Sequence, residues 1–504
     1  MKKVLSLIFV LLLTVPLIAS CSGGGNRPEG TENTSGTVGT AATESEGLET
    51  ENYAMIDEYV DDLVSSVNFK GWTFTFIAKE DSWNRPLKEE ETGVTESDAV
   101  YYRQRDIEEL FGIDIDYVTT ENGDITADQV KNEVMAGGTA YDLAQGSCGT
   151  TGQALLNAAV IRQVDNLKYI DLDREWWLPS LRDVYSIGNR LFFLTGSLVR
   201  HNYCDASCVL FNKKVTSMFG IDDASLYQCV RDGKWTLDKM FEVASVIPEN
   251  VSGTGTWRYS EPLGFTYIMT SGMRITQFDE DGNPYVEKSL PIGVSNLADK
   301  LCPVLSDDTQ TAAIKYTKNE SVEDKYGVES LTDLFVDNRV LFKFGYTGNA
   351  IDLRQADVQF GILPVPKESD SQKDYCSYAR MGWEASVYIP RSVQSVDFSD
   401  VITEAIAALS DKYVKPAYYD KLLKAQSVFD MESRDMIDII FKTKVYDLVP
   451  LYSGGNFYTM GSFLQALEDG FNIDNSQLAS SYASNAKVVN IYAKQLAKAV
   501  SKID

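Results

Sequence analysis

Cys21 is the residue whose chemistry its neighbours specify most clearly. Ile18, Ala19 and Ser20 stand directly before it, the small-residue pattern of a lipobox. In that setting the thiol is diacylated, and the cysteine becomes the mature N-terminus after cleavage. Lys2 and Lys3 precede the apolar run 4–19, which Pro16 interrupts. The run falls short of the roughly 20 residues a transmembrane helix needs, so residues 1–20 are expected to be a lipoprotein signal peptide outside the fold. A secretory leader cut at another bond is the alternative.

Other reactive residues are sparse. His201 is the single histidine. An H-E-x-x-H metal site is therefore impossible, and a Ser-His-Asp triad would have to be built on that one residue. Neither a G-x-S-x-G elbow nor a G-x-x-x-x-G-K-[ST] phosphate loop is present. Beside Cys21 there are six cysteines: Cys148, Cys204, Cys208, Cys229, Cys302 and Cys376. Cys204 and Cys208 lie close enough in sequence to pair, or to join His201 in a metal site. A closed zinc site takes four ligands and no second cluster is nearby, so structural thiols or a local disulfide are expected, with no metal and no cofactor. The 73 acidic residues leave one enzyme class open, a secreted glycoside hydrolase, because a catalytic carboxylate pair has no sequence spacing. A surface adhesion or signalling module is a further alternative.

Composition narrows the partners. The net charge is −27, or −29 once Lys2 and Lys3 leave with the leader. A polyanion would be repelled, and no basic stripe appears, so nucleic acid is not expected as a partner. Residues 21–52 are rich in Gly, Ser, Thr, Asn and Glu and are expected to form a disordered tether. The roughly 450 residues that follow are too many for one hydrophobic core and suit two lobes.

Positioning must come from an α/β framework. The stretch 72–77 is β-branched and aromatic, a first strand. A helix capped at Ser97 or Asp98 runs to Gly112, and 113–117 alternates at period two as a second strand. Asp124 or Thr126 opens another helix that closes at Gly137 and Gly138, and 141–144 is a third short strand. This succession predicts βαβ units and a parallel sheet. Strands at 191–195 and 207–211 then predict a crossover to a second lobe. There Thr236 caps a helix, with Asp238 in its first turn and Trp235 stapled onto Met240. Further strands are expected at 340–344, 358–363 and 385–389. Helices are predicted at 401–413, 417–426, 433–441, 460–468 and 478–501.

Several landmarks in this order resemble those of the extracellular solute-binding lipoproteins of ABC importers, the sugar-type family of Gram-positive bacteria. The segment 130–143 resembles the family's helix, glycine turn and Tyr-Asp-hydrophobic strand. Val209-Leu210-Phe211-Asn212-Lys213 resembles its Leu-Tyr-Tyr-Asn-Lys strand. Lys234 to Met240 resembles the Thr-Trp-Asp-Glu-Leu helix start, with Trp and Thr reversed, and 360–367 matches the Gly-x-x-Pro-x-Pro turn. Tyr419 through Ile440 resembles a closing segment of clostridial members. The resemblance implies a type II periplasmic-binding-protein-like fold, two α/β lobes joined by hinge strands with a helical C-terminal part. It implies an N-lobe of 53–200 and 384–425 and a C-lobe of 201–383 and 426–504. It also implies a monomer, held to the outer face of the cell membrane by its lipid alone, that binds a small solute. That solute is expected to be a mono- or oligosaccharide handed to an ABC permease, with no reaction catalysed.

A sugar presents a C–H face to an aromatic plane and hydroxyls to carboxylates and amides. Such groups are expected at the carboxyl edge of the parallel sheet. After the first strand, Glu80 would accept from hydroxyls and Trp83 would stack. A solvated loop with Trp83 packed on its own lobe is the alternative. Ser147, after the third strand, offers a hydroxyl or is simply part of a turn. Tyr346 sits where the family often has a glycine-aromatic cleft segment, and Trp383 immediately precedes the return crossing. Trp176, Trp177 and Trp235 are expected to be structural, Trp257 to shield a turn, and His201 to be a polar hinge residue.

Overall fold

A computed structural model of the chain describes residues 41–80, 95–178, 180–199, 201–261, 264–314, 321–353, 356–379, 386–424, 431–452 and 475–503. Two units divide it, Met1–Asn52 and Tyr53–Asp504. A helix spans Ala41–Ser66, so residues 41–52, expected in the disordered tether, are helical. Ala, Glu and Leu in that stretch are strong helix formers, and their propensity was hidden by the Gly and Ser before them.

Strand β1 (Thr73–Lys79) follows, with Phe74, Phe76, Ile77 and Ala78 buried. The helix Thr95–Phe111 begins earlier than Ser97 and stops at Gly112, which takes φ +64°, the left-handed C-cap geometry glycine permits. Strand β2 (Asp114–Thr120) pairs in parallel with β1. The next helix, Gly123–Met135, is capped by Asn122, whose side chain accepts from the Ile125 N–H. Asp124 and Thr126 were the expected caps. Thr126 instead lies inside, sharing a 2.5 Å hydrogen bond with Thr120. Strand β3 (Leu143–Gly146) pairs in parallel with β1 on its other side.

The stretch 191–195 is not a strand. Its residues are fully buried, but only Leu194 bridges to Val387, with N–H···O distances of 3.0 and 2.9 Å. Apolar composition marked it as buried without fixing a ladder. Strand β4 (Ser207–Asn212) opens the second sheet. Next come β5 (Trp257–Ser260), the hairpin β6 (Thr276–Phe278) and β7 (Pro284–Val286), and β8 (Thr311–Ala312). They are followed by β9 (Val340–Tyr346), β10 (Phe360–Pro364), β11 (Ser377–Tyr378), β12 (Ser386–Tyr388) and β13 (Lys444–Val445). The first sheet runs β12-β3-β1-β2 and the second β10-β4-β9-β5-β8. In the first, only β12 is antiparallel to its neighbour; in the second, β4 opposes both β9 and β10. β11 pairs in parallel with β13.

Two α/β lobes result, followed by helices Val396–Lys424, Met431–Lys442 and Leu478–Val500. The two helices expected at 401–413 and 417–426 are one, running through Pro416. An interior proline costs about 3 kcal/mol. Packing offsets it: Phe398, Val401, Ile402, Ala405, Ile406 and Leu409 are buried, and Arg103 of the helix Thr95–Phe111 donates to Ser410 at 2.8 Å. The helix expected at 460–468 lies outside the described residues.

Trp235 is buried as expected, its Nε1 donating to Pro364 O at 3.0 Å and its ring 5.7 Å from that of Phe342. Thr236 caps the helix Leu237–Ala244. Trp257 belongs to β5 rather than to a loop, and its indole donates to Asp308 O at 3.0 Å. The six cysteines among the described residues are free thiols, Cys204 and Cys208 included. Burial pushes the Cys148 and Cys208 thiols up to about 12, so neither is a nucleophile near neutral pH.

Candidate functional site

Strand register brings the edge of the first sheet into one line. Phe76 pairs with Leu143 and Ile77 with Ala144, which carries Glu80 and Ser147 to equivalent places beyond adjacent parallel strands. Glu80 is exposed, and its N–H extends the ladder by donating to Thr120 O at 2.5 Å. Ser147 is buried at 5% exposure. Its hydroxyl caps the π-helical turn Cys148–Gly152, accepting from the Thr150 N–H at 3.1 Å and sharing a 2.5 Å contact with Thr150 Oγ1. That geometry favours the turn-forming role for Ser147.

Tyr346 ends β9 in the other sheet, opposite Ser207. It is 8% exposed, and its hydroxyl lies 3.5 Å from Thr266 Oγ1. The candidate residues therefore lie on two sheets: Glu80 and Ser147 share one edge and Tyr346 stands at another. Trp83, Trp383 and Cys21 lie outside the described residues.

The two edges are tied by chain crossings. Outbound, residues 197–206 enter β4 at Ser207. Inbound, Ala379 bridges Ala206, and β12 starts at Ser386, paired with Gly146 at the end of β3. Seven residues span at most about 25 Å, which bounds the separation of Ala379 from Ser386. The outbound crossing is firmly held. Ser197 Oγ donates to Asp411 at 2.5 Å, Tyr203 Oη to Ser197 O at 2.7 Å, and Thr347 Oγ1 to Tyr203 O at 3.0 Å. The Tyr203 and Tyr418 rings stack at 5.6 Å. His201 begins the short helix His201–Cys204 on this crossing; its side chain lies outside the described residues.

Three features escaped the reading of the residues. Asp205, 6% exposed, sits two residues before β4, at the amino end of a strand antiparallel to its neighbours, where the carboxyl-edge rule applied to Glu80 does not reach. Lys343, 2% exposed within β9, pairs with Glu261, which has φ +54° just past β5. Burial pushes its amine down to about 8. No sequence signal marks a lysine in an apolar strand as paired. The third is a cavity of about 300 Å³ lined by Asp183, Val184, Arg274, Gln277, Phe278 and Asp447, among others. It lies near the β3 end of the edge, since the helix Val449–Tyr452 just after Asp447 meets the Cys148–Gly152 turn: Pro450 O stands 3.0 Å from where a Gly149 Cβ would be. The cavity's Asp447 carboxylate already accepts from Ile275 N, Thr276 N, Thr276 Oγ1 and Val449 N, and Arg274 donates to Tyr446 O.

No protein-family model matches the chain, and no curated protein matches its sequence. Solved structures do match its fold. The ABC substrate-binding protein Lmo0181 of Listeria monocytogenes, solved with cycloalternan, aligns at TM-score 0.51 and 11% identity over 84% of this chain and 99% of its own. UspC of M. tuberculosis aligns at TM-score 0.54 and 12% identity over 83% of this chain and all of its own, 100%. The maltose-maltodextrin binding protein of Alicyclobacillus acidocaldarius aligns at TM-score 0.50 and 11% identity, over 82% and 100%. The fold of this chain is thus that of the maltose-binding type of ABC solute-binding protein.

Proposed function

We propose that this chain is a solute-binding protein of an ABC importer that captures a carbohydrate between its two lobes. The observation that carries this reading is the pair of sheet edges, Glu80 with Ser147 on one and Tyr346 on the other, joined by crossings at Ser207 and Ser386. The fold shared over more than four fifths of the chain with a maltose-maltodextrin binding protein and with a substrate-binding protein solved with cycloalternan supports it. Glu80 accepts from sugar hydroxyls, Trp83 and Trp383 stack on the ring faces, and Tyr346 closes the site from the second lobe.

In this reading ligand binding favours the closed arrangement, because only then does the sugar touch both lobes. The lobes divide as 53–200 with 384–425 and 201–383 with 426–504. The chain is a monomer that catalyses no reaction, is anchored through a diacylated Cys21 on the outer face of the membrane, and hands its cargo to a permease.

A thermal-shift screen against mono- and oligosaccharides tests the reading. A ligand at 100 times its dissociation constant adds about 2.7 kcal/mol of stability. A set of glucosides, galactosides and their oligomers that leaves the transition unmoved would contradict it.

A further inference from the structure

The turn at residues 187–190 belongs to the first lobe yet holds two elements of the second. Ile187 and Arg190 close it with N–H···O distances of 2.8 and 3.3 Å. Gly188 and Asn189 between them take φ +60° and +59°, the consecutive left-handed pair that a two-residue turn of this hand requires. It is anchored at home: Leu191 N donates to Asp165 at 3.1 Å, Val164 N to Leu191 O at 2.8 Å, and Leu194 bridges β12.

Its outward bonds go elsewhere. Gly188 N donates to Gly282 O at 2.9 Å and Asn189 Nδ2 to Asp281 O at 3.2 Å, both at the tip of the β6–β7 hairpin. Arg190 Nη1 donates to Ile503 O at 2.7 Å, and Nη2 to Val500 O, where the last helix ends. A cation over exposed terminal carbonyls is favourable there.

Those partners are bonded to the second lobe, and the last helix also packs on the helix Gln153–Asn157 of the first. Asn490 of the last helix exchanges two 3.0 Å hydrogen bonds with Val286 of the hairpin. The helix Gly264–Thr270 leads into the hairpin, and the Tyr267 ring lies 5.3 Å from Phe344 of β9. The helix Ile292–Leu305 leads out of it, and its Lys300 donates to Asp238 at 2.8 Å and to Glu368 O at 2.9 Å.

We infer that the turn Ile187, Gly188, Asn189 and Arg190 is an interlobe latch that holds the closed arrangement without touching the cargo. This deepens the proposed function and rests on its two moving lobes. A latch of this kind sets the fraction of binding-competent protein, and apparent affinity scales with that fraction. Loosening it weakens capture chiefly through faster release.

The test compares three ligand-free proteins by small-angle scattering: wild type, the double variant Asn189→Ala with Arg190→Gln, and Asn189→Cys with Asp281→Cys after oxidation. Far-UV circular dichroism and thermal transitions confirm that each is folded. The latch predicts a larger radius of gyration for the Ala/Gln variant than for wild type. It predicts that the oxidised protein is no larger than wild type and expands on reduction, when the turn lacks the Asn189 amide. Saccharide hits from the thermal screen should bind the Ala/Gln variant roughly tenfold more weakly, the scale of losing one or two net hydrogen bonds. If the Ala/Gln variant matches wild type while the oxidised protein is more compact than both, the lobes move but this turn does not hold them. If all three profiles coincide, the turn and its partners move as one body and the latch is refuted, while the two-lobe reading is judged separately by scattering with and without a saccharide hit.

Discussion

Trp177 Nε1 donates to Glu404 Oε2 at 2.9 Å, deep beneath the first lobe. Trp176 Nε1 and Tyr59 Oη reach the other oxygen at 2.8 and 3.1 Å, and Asp171 N lies 3.3 Å from Oε2. The adjacent tryptophans are therefore structural through their N–H groups as much as their rings. Burial pushes Glu404 up from 4.5 to about 8 even against these donors.

That shift has a sign. The folded protein holds a proton on Glu404 that the unfolded chain has released above pH 4.5. Stability from this group is complete below that value and is lost as pH rises toward about 8. The slope reaches at most about 1.4 kcal/mol per pH unit. Asp400, pushed up by burial from 3.8 to about 6, contributes with the same sign over its own window. Glu404→Gln should flatten the dependence between about pH 6 and 8. It should also cost about 1–3 kcal/mol, because one amide hydrogen must face an N–H donor. Urea denaturation across that range reads both effects.

Gly152 faces Tyr388. A Cβ there would collide with Tyr388 Oη and lie 2.9 Å from Cζ, while the hydroxyl donates to Ser147 O at 3.2 Å. Gly152→Ala should destabilise by about 1–3 kcal/mol through overpacking. Urea denaturation at neutral pH measures it, and a neutral result would mean that the turn and β12 can move apart freely.

Among the cleft candidates, roles should separate by readout. Ser147→Ala removes a cap and should cost about 1 kcal/mol of stability with the dissociation constant of a saccharide hit unchanged. Glu80→Ala should weaken binding at least tenfold, about 1.4 kcal/mol, with little change in melting temperature of the free protein. Trp83→Ala and Trp383→Ala should behave like Glu80→Ala. Calorimetry beside thermal melts distinguishes the two patterns.

Cys21→Ser should release the protein from membranes into the medium or the soluble fraction. Mass spectrometry of the wild-type N-terminal peptide should show a diacylglyceryl addition on Cys21. An unmodified peptide starting elsewhere would remove the anchor from the account.

Much of the framework was legible because period and punctuation agree where one face is buried. Phe74 and Phe76 alternate toward the core, and Gly112 ends its helix as a glycine C-cap does. Long-range partners were not. Whether 191–195 forms a ladder depends on which strand lies beside it, and only Val387 does. Pro416 marks a break locally, yet the burial of one continuous helical face overrides it. The site shows the same split. Glu80 was expected past a strand end and Tyr346 from the resemblance, and the structure places each at the end of a strand, whereas Arg274 and Asp183, distant in sequence, line one cavity.

The measurement that bears most directly on the account is small-angle scattering of the mature protein with and without its tightest saccharide hit. Two lobes closing on a sugar predict a smaller radius of gyration at saturation, with the change abolished by Glu80→Ala at the same ligand concentration. Superimposable profiles from free and demonstrably saturated protein would contradict the claim that cargo is enclosed by movement of one lobe onto the other.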